Sequence, residues 1–341
     1  MEPIFDLETF KSTVIVPEYD DLMQCLIDAG KDKDKVYLDF LNRYISLRRA
    51  INKSYDDQQK CFWISASVDF ENDLLHFNSL SDSEKHLIRI IMAFFASSDI
   101  IIVSKIKEYL DAIALPDVSR VYDYMKMMEN VHSEIYQRTI QIITIDRDDC
   151  RKLFNSINNL ESIKNMANWC RNNNIDKIEE IVFVNGLFEC AFFRTPFAII
   201  ATFKRNGKMP GIGQSNEYIM RDEDMHWRFA ILMKQLLHAQ ISQDRAYEIV
   251  EEAKDLYFQF IDDMIPTPLF NLDRETVRNH FLSICDLFLV AYGFKKLYNA
   301  RSTLDAVSDN DLPTHYDFFA SRSTNYGKIT SKQELNYDED F

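Results

Sequence analysis

Residues that break or turn a polypeptide are scarce in this sequence. Its 341 residues include seven glycines and eight prolines, about a third of average usage. Sandwiches, barrels and open doubly wound sheets need a turn residue roughly every dozen positions, which this sequence does not supply. Long helices remain. Hydrophobic residues make up 46% of the total, with 25 Phe and 16 Tyr, enough for one continuous aromatic-rich core. The sequence therefore predicts a single all-α domain.

Charge narrows the function. Lys and Arg number 39 against 54 Asp and Glu, a net charge of -15, which opposes a phosphate backbone and argues against nucleic-acid binding. The six cysteines form no CxxC and no zinc spacing, and they read as reduced thiols. Residues 1–16 are acidic and broken by Pro3, unlike a signal peptide. A cytoplasmic compartment is the expectation. The apolar stretch Ile90 to Val103 carries Asp99, and Ile181 to Phe203 carries Glu189 and Arg194, so both read as core helices and not as membrane spans.

Along the sequence, apolar spacing predicts a helix over about 34–49, then a polar break at SYDDQQK and an extended segment at Phe62 and Trp63. Ser81 with Glu84 forms a capping box opening a helix to about Ile113, and Pro116 opens another to about Thr144. Two short helices are expected within 147–176. A buried helix over 178–204 contains Pro196, which should kink or bulge it between Phe192 and Pro196. NGKMPGIGQSN reads as a turn, with neither the third glycine nor the Lys-Ser of a phosphate loop. Helices are then expected over 217–239, 243–264 and 274–299. Residues 321–341 are polar and acidic and read as a mobile tail, leaving 17–320 as the folded body after a flexible N-terminal segment, 1–16.

The chemistry lies in two Glu-x-x-His motifs, Glu129-Asn-Val-His132 and Glu223-Asp-Met-His226. Spacing of three sets carboxylate and imidazole on one helical face, where both can reach one metal ion. One such motif is commonplace in an acidic protein, and a pair of buried ion pairs would explain two. Two further acids weaken that explanation. Asp99 in MAFFASSDIIIV and Glu189 in VNGLFECAFF are lone carboxylates in apolar helices, each preceding a Glu-x-x-His by about thirty residues. A lone buried carboxylate costs several kcal/mol unless paired or neutralised. Four helices giving four acids and two histidines match the ligand set of a carboxylate-bridged dimetal site in a ferritin-like bundle, and oxygen and imidazole donors favour iron or manganese over zinc. Tyr136 follows His132 by four residues on the same face, and Phe193, Phe197 and Ile219 fall one or two turns from the acids. A tyrosine there can be oxidised and kept dry.

These runs resemble the small, radical-generating subunit of class I ribonucleotide reductase, of the eukaryotic and viral type. The matching segments are FW at 62–63, MAFFASSD ending at Asp99, MMENVHSEIY ending at Tyr136, the Glu189 helix leading to KMPG, SNEYIMRDEDMH ending at His226, and FFASRSTNY ending at Tyr326. The resemblance covers the sequence from about Pro17 onward. It implies that Asp99, Glu129 and His132 hold the metal nearer the tyrosine, and Glu189, Glu223 and His226 the second. The cofactor implied is two iron ions bridged as Fe-O-Fe, with manganese as an alternative. Tyr136 would carry a tyrosyl radical inside an apolar surround of Phe193, Phe197 and Ile219. Asp222 would link His132 to Trp63 at the start of a radical-transfer path that Tyr326 continues to a separate large subunit, where ribonucleotides are reduced to deoxyribonucleotides. The tail QELNYDEDF, with Tyr337 and Phe341, resembles the peptide that docks on that partner. A homodimer is also implied.

The sequence departs from the family pattern in places. ISASVD follows Trp63 where many relatives carry paired acids, and Arg194 and Trp227 stand near ligands where smaller residues are frequent. Rival readings are another dimetal oxidase on the same bundle, a ferritin-like metal store, and a helical scaffold. Asp99, Tyr136 and the tail speak against the first, length against the second, and the lack of a repeat period against the third.

Overall fold

The computed structural model describes residues 35–113, 115–172, 177–237, 240–269 and 272–304; the side chains of 35–43, 99–113, 154–159 and 171–172 are outside the description. The expected domain limits at 16/17 and 320/321 therefore lie outside the described residues, as do Tyr326, Tyr337 and Phe341.

Among the described residues there is no strand, only an isolated bridge between Leu269 and Leu272. The helices are α1 (Lys35–Lys60), α2 (Asp73–Ser79), α3 (Asp82–Ile113), α4 (Pro116–Ile143), α5 (Arg147–Asn159), α6 (Glu161–Asn172), α7 (Ile178–Leu187), α8 (Phe193–Arg205), α9 (Pro210–Leu236), α10 (Gln243–Met264) and α11 (Arg274–Ala291). A π-helical segment, Phe188–Phe192, joins α7 to α8. α3 packs on α4, and α9 lies against α1, α7 and α8, so the long helices enclose one core.

Four helices open on signals present in the sequence. The Ser81 amide donates to Glu84 Oε2 at 2.8 Å and the Glu84 amide to Ser81 Oγ at 3.3 Å, the reciprocal capping box. Pro116 opens α4, where its missing N–H costs nothing. Ser242 and Asp273 cap α10 and α11 by accepting from Arg245 N and Thr276 N.

Three boundaries differ from expectation. α1 runs through SYDDQQK, because Tyr55 and Gln58 turn inward while Asp56, Gln59 and Lys60 face outward and Asp57 pairs with Lys53 and Lys60. α9 begins at Pro210 and not near 217, so most of the expected turn is helical. Its first amides are seated by a carboxylate far away in sequence: Gly211 N and Ile212 N donate to the two oxygens of buried Asp73 at 2.8 and 3.0 Å. α11 stops at Ala291, where Gly293 (φ 95°) and the Phe294 N to Leu289 O bond of 2.8 Å close a Schellman-type end. Helix Ile178–Arg205 is long and apolar enough to cross a membrane, but 83% of its apolar window is buried inside the protein, as a core helix requires.

Pro196 does distort its helix, one turn earlier than expected. The wide turn falls at Phe188–Phe192 and includes Glu189. Gly186, just before it, lets α7 approach its neighbours: a Cβ there would lie 3.0 Å from both Ala230 Cβ and Phe288 Cε2.

Candidate metal centre

α4 and α9 present the two Glu-x-x-His faces to each other. Glu129, His132, Glu223 and His226 are each 2% exposed or less, and Glu189 on the π segment joins them fully buried. His132 Nδ1 lies 3.3 Å from Glu129 Oε2 and 3.2 Å from Glu223 Oε1. His226 Nδ1 lies 3.1 Å from Glu129 Oε1 and 3.4 Å from Glu223 Oε2. The imidazole rings are 6.3 Å apart at 29°. Two groups emerge that can each hold a cation, Glu129/His132/Glu223 and Glu189/Glu223/His226. Glu223 belongs to both. Spacing in the sequence pairs each glutamate with its own histidine, whereas packing places both Glu129 and Glu223 between the two imidazoles.

Electrostatics show how strained the group is without cations. Burial pushes Glu189 well above the usual carboxylate range, and the neighbouring Glu223 and Glu129 charges push the same way. Burial would also raise Glu129, but His132 and His226 outweigh it and hold the carboxyl at about 2. Burial disfavours the charged imidazoles, yet the surrounding carboxylates raise both histidines well above their ordinary value. Glu189 Oε2 is buried without a hydrogen-bond partner, while Glu129 Oε1, both Glu223 oxygens and His226 Nδ1 meet only one another and His132, at 3.1–3.4 Å and in poor hydrogen-bond geometry. Buried carboxylates and imidazoles crowded together without well-formed hydrogen bonds cost free energy that coordination would recover, and such a donor set fits a pair of hard or borderline divalent cations.

The outward nitrogen of His132 is oriented as metal-binding histidines usually are. Its Nε2 lies 3.1 Å from Asp222 Oδ2, and the same oxygen accepts from Trp63 Nε1 at 2.7 Å. The Trp63 ring stacks on His132 at 5.9 Å and meets Tyr218 at 5.3 Å. Trp63, Asp222 and His132 thus form one contiguous buried hydrogen-bonded group. Arg221 supports it, donating to Cys61 O at 2.6 Å and to Asp222 Oδ1 at 3.3 Å.

Tyr136 lies one turn beyond His132 and is 2% exposed. A narrow cavity beside it is lined by Met92, Phe95, Thr139, Phe197, Asn216 and Ile219 among others. Phe95 stacks on the Tyr136 ring at 5.1 Å and 17°, and on Phe197 at 5.0 Å. Phe193 packs on Phe95 at 5.9 Å and Phe197 at 6.0 Å. Phe197 and Ile219 line the cavity beside Tyr136, and Phe193 packs behind Phe197 and Phe95. Asp99 lies on α3, and its side chain is outside the described residues.

Arg194 and Trp227 do not intrude on the ligands. Arg194 pairs with Asp224, Trp227 Nε1 donates to the same Asp224 oxygen at 2.8 Å, and the guanidinium sits 5.6 Å from the indole ring. The positive charge is thus neutralised on the side of α9 that carries Asp224.

Sequence reasoning missed Phe95, Asn185 and Arg221. Asn185 Nδ2 donates to Glu189 Oε1 at 3.2 Å from one turn earlier, a spacing that the helical period already offered. Phe95 and Arg221 carried no comparable signal, since their partners come from other elements.

Known proteins resemble this chain in sequence and in fold. A sequence model of the family described as ribonucleotide reductase, small chain, matches residues 48–305. A ribonucleoside-diphosphate reductase small chain of Arabidopsis thaliana is 31% identical over 294 residues, covering 84% of this protein and 85% of its own length. The small chain of Spisula solidissima is 32% identical, covering 81% and 73%, and that of Vaccinia virus (strain Western Reserve) 31%, covering 84% and 92%. In fold, the Rnr4 homodimer of Saccharomyces cerevisiae superposes with a TM-score of 0.70 at 22% identity, covering 82% of this protein and 87% of its own length. Dimanganese(II)-NrdF of Streptococcus sanguinis gives 0.65 at 18%, covering 75% and 92%.

Proposed function

Because this chain belongs to the ribonucleotide reductase small-chain family, we propose that its buried carboxylate and histidine cluster holds two iron ions and that Tyr136 is the residue that stores the oxidising equivalent. The family assignment makes the protein the small subunit of a ribonucleoside-diphosphate reductase, a dimetal oxidoreductase subunit that works with a large subunit. The observation that carries the site assignment is the buried cluster of Glu129, His132, Glu189, Glu223 and His226, whose ligand atoms can form two cation-binding groups beside the buried Tyr136.

Glu129, His132, Glu189, Glu223 and His226 would hold the metals, joined by Asp99 from α3. Held as a reduced pair, the metals would supply two of the four electrons that reduce dioxygen to water, with Tyr136 supplying the third and an external one-electron reductant the fourth. The protein's own residues do the rest. Tyr136 gives up an electron and a proton and becomes a tyrosyl radical, and Phe95, Phe197 and Ile219 exclude the water and reductants that would quench it. Asp222 holds His132 and Trp63 on one oxygen, giving the oxidising equivalent a short buried route off the centre. Tyr326 continues that route, and the tail ending in Tyr337 and Phe341 docks on the large subunit. Manganese is the alternative metal, since a set rich in carboxylate oxygens also suits it. A homodimer in the cytoplasm is the assembly and compartment proposed.

The test is to load the whole protein with ferrous iron in the absence of oxygen, admit air, and record bound iron and the electron paramagnetic resonance spectrum of wild type and Tyr136→Phe. Two irons per subunit and a tyrosyl signal lost in the variant are expected. A wild type that binds two irons without a radical, or a signal that survives the substitution, refutes the assignment to Tyr136.

A further inference from the structure

Pro196 poses an accounting problem. Proline has no amide hydrogen, so the carbonyl one turn earlier, that of Phe192, lacks its α-helical donor. Phe192 is 0% exposed, and water does not reach it. Its carbonyl accepts from the Tyr257 hydroxyl on α10 at 2.9 Å instead. Tyr257 is itself fully buried, its ring stacked on Phe281 at 4.1 Å and 12° and meeting Phe192 edge to face at 5.0 Å. Burial keeps the phenol well above its ordinary pKa, so it stays a donor.

Phe192 is the last residue of the π segment, and Glu189 lies three residues before it. The Glu189 carboxylate accepts from Asn185 through one oxygen, while the other has no partner. Its place is therefore set chiefly by the backbone that carries it. A π turn spends one residue more than an α turn, so shifting or closing it would move Glu189 relative to Glu223 and His226.

We infer that Tyr257 is a positioning residue for the metal centre: its hydroxyl replaces the donor that Pro196 lacks, pins the end of the π segment to α10, and fixes where the Glu189 carboxylate stands. This rests on the dimetal reading of Glu189. The contact is specific to an irregular helix, because a regular one would satisfy Phe192 internally.

The test uses the whole protein, titrated with Mn(II) while the free-ion paramagnetic resonance signal is followed, together with amide hydrogen exchange across residues 186–196. The variants are Tyr257→Phe, Pro196→Ala and the two combined. Tyr257→Phe should retain its helical circular dichroism, bind the weaker ion roughly tenfold less tightly, as loss of a supporting hydrogen bond typically does, and exchange faster over 188–193. Pro196→Ala restores an amide donor, so adding Tyr257→Phe to it should change neither readout. Unchanged affinity and exchange in Tyr257→Phe overturn the inference, as does an equal loss in the Pro196→Ala background. If Tyr257→Phe fails to fold, the combined variant decides: a folded, two-ion protein supports the role, and a second failure to fold overturns it. A wild type that binds no pair of ions defeats the dimetal reading, while hydrogen exchange still judges the hold of Tyr257 on the π segment.

Discussion

Replacing Asp222 by alanine removes the acceptor on which two parts of the site depend. Asp222 is 3% exposed, and its Oδ2 serves Trp63 Nε1 at 2.7 Å and His132 Nε2 at 3.1 Å. A carboxylate oxygen only accepts, so both partners are donors to it. Each buried donor left unmade costs about 1–3 kcal/mol, and the two together about 2–6 kcal/mol, with Arg221 losing its weaker bond of 3.3 Å besides. Asp222→Asn should cost less, because the amide oxygen can still accept from both. The assay is chemical denaturation followed by far-ultraviolet circular dichroism, run as a cycle with Trp63→Phe. In that background one donor is already gone, so Asp222→Ala should cost about 1–3 kcal/mol less. The freed imidazole should also weaken the metal on the His132 side by about 10–100-fold. A destabilisation below about 0.5 kcal/mol, within the range of an ordinary surface change, or an equal cost in the Trp63→Phe background, refutes the shared-acceptor account.

Three further outcomes are expected. Phe95→Ala removes the ring stacked on Tyr136 and should cost about 3–5 kcal/mol, with a tyrosyl signal that decays faster in a paramagnetic resonance time course; an unchanged lifetime contradicts the shielding role. Gly211→Ala would drive a Cβ against the Asp69 carbonyl and to 2.6 Å from Asp73 Oδ2, breaking the cap of α9 at a cost of about 2 kcal/mol or more, measurable by thermal unfolding against wild type. Burial, aided by the Arg194 charge, pushes His280 down to about 4, below the ordinary value near 6.5. The unfolded state therefore takes up this proton first as pH falls, so stability is full above about 6.5 and declines toward about 4 by on the order of 3 kcal/mol. His280→Gln should flatten that part of the profile, and a slope equal to wild type would show that other groups cause it.

Much of the site was legible because its signals are local. Glu129 with His132, and Glu223 with His226, share a face by helical spacing alone, and Tyr136 follows one turn on. Asp99 and Glu189 stand out because an acid in an apolar run demands a partner. The errors also have local causes. SYDDQQK looked like a break since it is polar, yet polarity on one face is what an exposed helix surface requires. The bulge expected between Phe192 and Pro196 settles at Phe188–Phe192, because a proline disturbs the carbonyls of the turn before it.

The sequence by itself determined that this protein is helical, that its helices carry inward acids and imidazoles at metal-binding spacing, and which family it resembles. Those conclusions depend on composition and on intervals within a helical turn. Tertiary structure alone decided that Glu223 stands in both ligand groups, that Phe95 covers Tyr136, that Asp73 seats the start of α9 from 138 positions away, and that Tyr257 answers for the donor missing at Pro196. Each of these joins residues on different helices. Periodicity says which face of a helix is buried, but only the packing of one helix on another fixes which atoms meet there.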